Sequence, residues 1–213
     1  MKTSDVKLLP SHYYHIYNRG INGGNIFFEK QNYTHFLTRW AKYVEPVAET
    51  YAYCLLRNHF HILVRIRDLD KILGLIQPDY PADKAQKIID DPSRYISYQF
   101  GHALNSYAKS INNKYKRTGS LLEERFERIL IDNERYYQNL IDYIHKNPER
   151  HRFIESYKDY PYSSFNSHLS IQPTLLMRDA VLSLFGGANE YENFHRAKQD
   201  DKAILPYIFE EDD

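Results

Sequence analysis

Two histidines at alternate positions, His59 and His61, sit inside the run CLLRNHFHILVR, which otherwise reads as a buried strand. Residues i and i+2 of a strand share a face, so the two imidazoles stand side by side, with Phe60 and Ile62 turned the other way. Such a pair is either two core histidines satisfied by hydrogen bonds or a chelate for a divalent ion, which would need further ligands and an open position for catalysis. Further along, Tyr143 and Asn147 lie four residues apart in NLIDYIHKNP and share one helix face. There the Asn147 amide oxygen could complete a metal site with the Tyr143 hydroxyl beside it. The alternative is that Tyr143 packs on the sheet and Asn147 ends the helix before Pro148. His145 falls on another side and is the poorer candidate.

A tyrosine hydroxyl, with an ordinary pKa of about 10, is a poor nucleophile, useful mainly where a phosphotyrosine link is stored and then reversed. A metal on the scissile phosphate would offset its charge and orient in-line attack by the phenol. A hydrolase would more economically activate water. A third constellation is the polar, basic stretch with Lys109, Asn112, Lys114, Tyr115, Lys116 and Arg117, followed by Arg125 and Arg128. Its cations, amides and aromatic ring could hold a phosphate backbone and stack bases, and Asn18-Arg19 at the end of an earlier strand is a smaller candidate. Read blandly, the same run is a solvated helix face, diluted by Glu123, Glu124 and Glu127.

Those residues need a scaffold. The segment 13–18 reads as a strand ended by the turn chemistry of 19–24, and 30–47 has helical spacing through Tyr33, Phe36, Leu37, Trp40 and Tyr43-Val44, closing near Pro46. Two strands, 50–56 and 60–66, are joined at Arg57-Asn58. A loop or insertion covers 78–92 with a little helix on either side, and 93–115 is a long helix with Ile96, Phe100, Leu104, Tyr107 and Ile111 on one face, stopped near Gly119. A short strand at 128–131 precedes a last helix that Asn133 can cap and that runs through Lys146, stopped by Pro148. The order βαββαβα predicts an α+β fold, a ferredoxin-like antiparallel sheet with helices on one face. Residues 1–150 form the main domain. Residues 151–213, with one short helix over 177–185 and an acidic end PYIFEEDD, form a C-terminal extension on or beside it.

The 213 residues suffice for one domain with a real core. Lys+Arg and Asp+Glu are both 28, so a nucleic-acid partner would have to be met by a local patch rather than by net charge. The single cysteine, Cys54, excludes an intramolecular disulfide and a thiolate cluster, so any metal is held by nitrogen and oxygen, and Cys54 itself reads as core. Tyrosine is in excess at 20, mostly for packing. No apolar run suits a signal peptide or a membrane span, which points to the cytoplasm.

Taken in order, HIYNRG, RNHFHILV, KSINNKYKRTGSLLEERFERILID, YIHKNP and YPYSSF resemble the REP-associated tyrosine transposases, relatives of the single-tyrosine HUH transposases. The resemblance runs from about His12 to Phe165 and leaves the chain from Asn166 onward unaccounted for. It implies His59 and His61 as metal ligands, Asn147 as a third polar ligand one turn after a Tyr143 nucleophile, Mg²⁺ or Mn²⁺ as the ion, and single-stranded DNA with repeat hairpins as the partner. The chain would act as a monomer or homodimer. The implied activity is metal-dependent cutting and rejoining of single-stranded DNA beside a hairpin through a 5′-phosphotyrosine. The competing readings are a DNA-binding protein of the same fold without turnover, and a hydrolase using the histidine pair and water.

Overall fold

Alternation along the first strand decides the architecture. In β1 (Tyr13–Arg19), Tyr14 and Ile16 face one hydrophobic cluster and Tyr13 the opposite one, so both faces of this strand are covered. The chain, described here from a computed structural model, is followed over residues 5–75 and 81–197. The expected acidic end and the beginning of the 78–92 insertion lie outside the described residues.

After β1 come α1 (Lys30–Tyr43), β2 (Ala48–Leu55), β3 (His59–Ile66), α2 (Leu69–Gly74), α3 (Ala82–Asp90) and α4 (Pro92–Tyr115). Then follow β4 (Glu127–Ile131), α5 (Glu134–Arg150), α6 (Phe165–Leu169), α7 (Arg178–Phe185) and α8 (Ala188–Arg196). The strands pair in the order β2-β3-β1-β4, all antiparallel, as a ferredoxin-like path requires.

On one face α1 and α4 pack Phe36, Trp40, Phe100 and Tyr107 against Ile16, Phe60, Ile62 and Val64. All five residues expected on the inner stripe of α4 are buried there. Each such side chain contributes about 1.5–3 kcal/mol by leaving water. The expectation of helices on one face describes these two. The other face is covered as well: α5 and residues 151–197 pack Leu140, Ile141, Ile144, Tyr157, Phe165, Val181 and Tyr191 against Ala52, Cys54, Leu63 and Ile131.

Local chemistry sets the ends of the helices. Glu29 and Asn32 form a reciprocal capping box on α1. The Asp91 carboxylate accepts the Arg94 N–H at the start of α4, next to Pro92 in the first turn. At the other end of α4 the left-handed cap is Lys116 (φ 51°) rather than Gly119, which turns three residues later at φ 81°. The helix α5 does not stop before Pro148 but runs through it to Arg150, losing only the N–H that proline lacks. The chain then closes with His151 N–H on the Asn147 carbonyl and Phe153 N–H on the Pro148 carbonyl. Among the described residues no helix is long and apolar enough to cross a membrane.

Candidate active site

The pleat of β3 sends His59 and His61 to the face that α5 covers, with ring centroids 5.2 Å apart and planes at 84°. One turn of α5 brings Asn147 and Tyr143 over them. Asn147 Oδ1 is 3.1 Å from His59 Nε2, and the Tyr143 ring meets the His61 ring edge-on at 5.7 Å. The four residues singled out by spacing are thus gathered in one place, and all are buried. Pro148 sits next to Asn147, so the continuation of α5 through the proline keeps Asn147 inside the helix instead of at its cap. His145, as its spacing suggests, faces elsewhere, toward His195 and Ser164.

Several neighbours carried no signal in the sequence. His15 of β1 is fully buried, with Nε2 3.0 Å from His61 Nδ1. Asn58 places Oδ1 2.9 Å from His59 Nδ1. His151 packs edge-on to His59 at 5.0 Å, and the Arg150 guanidinium lies over the Tyr143 ring at 5.2 Å. The strand register that pairs Tyr17 with His61 brings His15 beside it, and register is not written in a local pattern.

Burial holds the His61 pKa well below the usual imidazole range, helped by the nearby rings of His15, His59 and His151. A neutral ring is what a cation needs from histidine. At His59, oxygen atoms face both ring nitrogens, and a neutral imidazole can donate to only one of them, so the contact with Asn147 leaves room for a shared cation. The 3.1 Å between His59 Nε2 and Asn147 Oδ1 is close to the separation of adjacent ligands at right angles around an ion with bonds of about 2.1 Å. The buried Asn147 Nδ2 has no hydrogen-bond partner. Among the described residues no three His, Cys, Asp or Glu side chains are grouped so that they could hold a metal ion; the polar groups that meet at this patch are two imidazoles and one amide.

The candidate DNA contacts divide into two groups. Asn18, Lys109, Asn112, Arg125 and Arg128 line a groove of about 720 Å³ between α4 and the segment 119–128, together with Asn105, Asn113 and Ser120. In β1, Asn18 alternates with Tyr17, so the groove opens on the α4 side of the sheet and the histidines on the α5 side. Arg19, at the strand end between the two, pairs with Glu123 at 2.6 Å. Arg128 is nearly buried, donates to Ser97 and stacks on Phe126 at 4.4 Å. Lys114, Tyr115, Lys116 and Arg117 lie outside the groove: Lys114 pairs with Glu29, the Tyr115 ring packs on Phe28, Arg117 covers the same Phe28, and Lys116 caps α4.

No protein-family model matches the chain. A protein of Haemophilus influenzae provisionally named a REP-associated tyrosine transposase is 31% identical over 121 residues, which is 55% of this chain and 59% of that protein, so the match spans less than two thirds of the relative. A solved structure of a REP-associated tyrosine transposase bound to a REP hairpin superposes with a TM-score of 0.52, covering 79% of this chain and 86% of that one. At 16% identity that second likeness is one of fold. Over the matched stretch of sequence, and in fold, the chain is thus similar to proteins named REP-associated tyrosine transposases, which its motifs also resemble.

Proposed function

We propose that this chain cuts and rejoins single-stranded DNA next to a repeat hairpin, in the cytoplasm, through a 5′-phosphotyrosine on Tyr143, with a divalent ion, Mg²⁺ or Mn²⁺, held by His59, His61 and Asn147. The observation that carries the reading is the convergence of two imidazoles, an amide oxygen and a phenol on one buried patch. When bound, the ion supplies polarisation of the scissile phosphate and offsets its charge. Everything else falls to the chain's own groups. Tyr143 oxygen attacks phosphorus, the bond from phosphorus to the 3′ oxygen breaks, and the DNA leaves as a 3′-hydroxyl. The phenol gives up one proton and the departing oxygen takes one, so the exchange is proton-neutral and reversible, as rejoining demands. Arg150 over the Tyr143 ring keeps that ring oriented.

Residues 1–150 carry the chemistry in this reading, and 151–213 are an extension. The groove with Asn18, Lys109, Asn112, Arg125 and Arg128 receives DNA, which crosses the sheet end near Arg19 to reach the histidines. Amides outnumber cations there, which suits contacts to bases and hairpin shape more than to phosphate charge. One chain supplies the tyrosine and both histidines, so a monomer suffices.

The test incubates the protein with Mn²⁺ and labelled single-stranded DNA carrying a repeat hairpin, with Tyr143→Phe alongside, on a denaturing gel. A protease-sensitive protein–DNA band in wild type alone is expected. Cut DNA without that band, or cutting by Tyr143→Phe, would point to water as nucleophile and overturn the assignment. Hairpin binding with no cutting would reduce the chain to a binding protein.

A further inference from the structure

His15 lies beside the candidate metal ligands, with its ring edge-on to that of Tyr143 at 6.4 Å. Its ring is fully buried, lies 5.1 Å from the His61 ring with planes 27° apart, and bonds it nitrogen to nitrogen at 3.0 Å. Tyr17 packs against both rings, at 5.2 Å and 5.9 Å, and closes the pair off from one side. One proton is shared between the two facing nitrogens, and the direction of sharing decides the chemistry of the far nitrogen of His61. If His15 Nε2 donates, the one proton of His61 sits on Nε2 and the ring cannot ligate. If His61 Nδ1 donates, Nε2 presents a lone pair.

The same arrangement occurs at His59, where Asn58 Oδ1 can only accept and therefore holds the proton at Nδ1, turning Nε2 toward Asn147. Both rings have a polar atom of a neighbouring side chain within hydrogen-bond distance of Nδ1. We propose that His15 is a positioning residue that accepts the Nδ1 proton of His61, fixes its ring and leaves His61 Nε2 unprotonated as a donor to the divalent ion. This rests on the metal reading above. Neutrality of the acceptor has its own consequence. A carboxylate behind a ligating histidine raises ligand basicity and adds negative charge, which weakens the pull of the ion on a phosphate, whereas an imidazole orients the ligand without that charge.

Long-range ¹H–¹⁵N spectra of the metal-free protein read the tautomer directly, and a proton on His61 Nδ1 with an unprotonated Nε2 is expected. Mn²⁺ titration, followed by the electron paramagnetic resonance signal of the free ion, then compares wild type with His15→Gln, which keeps an acceptor near the position of Nε2, and with His15→Phe, which keeps a ring but no acceptor. His15→Phe should lose roughly 10–100-fold in Mn²⁺ affinity and His15→Gln only about threefold, with hairpin binding retained by both. A merely structural role would lower both affinities alike or neither, and either result overturns the proposal, as does a proton on His61 Nε2. Wild type that takes up no Mn²⁺ overturns the metal reading and this inference with it; a His15→Phe variant that binds like wild type overturns the inference alone.

Discussion

Asn147 is fully buried, yet its amide nitrogen has no partner. A buried donor left unpaired costs about 1–3 kcal/mol, which a sequence selected only for stability would not keep on a helix face otherwise filled by Leu140 and Ile144. Asn147→Leu, with the same branching at Cγ, is therefore expected to leave unfolding free energy unchanged or raise it by about 1 kcal/mol while lowering Mn²⁺-dependent cleavage by on the order of 100-fold. Urea unfolding and the cleavage gel together check this; a clear loss of stability with cleavage intact would make Asn147 a structural residue. The site residues divide by how visible they were in the sequence. His59, His61, Tyr143 and Asn147 announce themselves through spacing within one element, 2 in a strand and 4 in a helix. His15 and His151 do not, because each joins the site through a contact between elements, and a lone histidine in an apolar strand reads as core.

At the scale of elements, the segment 20–27 shows how the ligand strand is held in place. Gly20 N–H donates to the Asn58 carbonyl at 2.7 Å, and Ile26 and Phe27 N–H both donate to the Arg57 carbonyl, so the turn that leads into His59 is clasped from outside. The backbone of Gly20 is ordinary in φ, but a Cβ there would collide with the Gly24 carbonyl oxygen. Gly20→Ala must therefore open the clasp, and a loss of about 1–3 kcal/mol of stability is expected, with weaker Mn²⁺ binding because Asn58 and His59 move with the turn. Gly101→Ala is the contrast: nothing surrounds that position inside α4, and replacing a helical glycine there should stabilise by about 0.5–1 kcal/mol. Thermal melts of the two variants decide between local collision and general intolerance. Periodicity made these elements readable in sequence: α1, α4, all four strands and their order follow from it. Its failures have local causes. Pro148 lies within the last turn of α5, where few residues remain to be disrupted, and the end of α4 at Lys116 was not legible because a left-handed residue other than glycine leaves no compositional mark.

For the whole molecule, the decisive feature is the second core, which the sequence left as a weak pattern after Arg150. The YPYSS segment pairs with the outer strand β2: Leu55 N–H donates to the Tyr162 carbonyl, Ser164 N–H to the Tyr53 carbonyl, and Tyr53 N–H to Ser164 Oγ. An otherwise open sheet edge is thereby covered. Behind it three buried histidines from three helices meet: His145 of α5 bonds His195 of α8 at 3.0 Å, and His168 of α6 lies 5.7 Å from the His145 ring. Desolvation by burial lowers His168 and His195 to about 4, aided by Arg178 near the first and by Lys146, His168 and Lys158 near the second, against backbone contacts that raise them. The sign of the consequence follows from linkage. Unfolded histidines bind protons from about pH 6.5 downward while these two stay neutral, so acid favours the unfolded chain, and stability falls as pH drops from about 6.5 toward 4. Between pH 7 and pH 5 each should cost on the order of 2 kcal/mol, a substantial part of a domain's usual margin of about 5–15 kcal/mol. Urea unfolding across that range measures it, and His168→Phe should flatten the slope by about one histidine's share. An unchanged slope in that variant would mean that His168 takes up its proton in the folded protein, and that the second core is open to water when the extension is closed over β2 and α5.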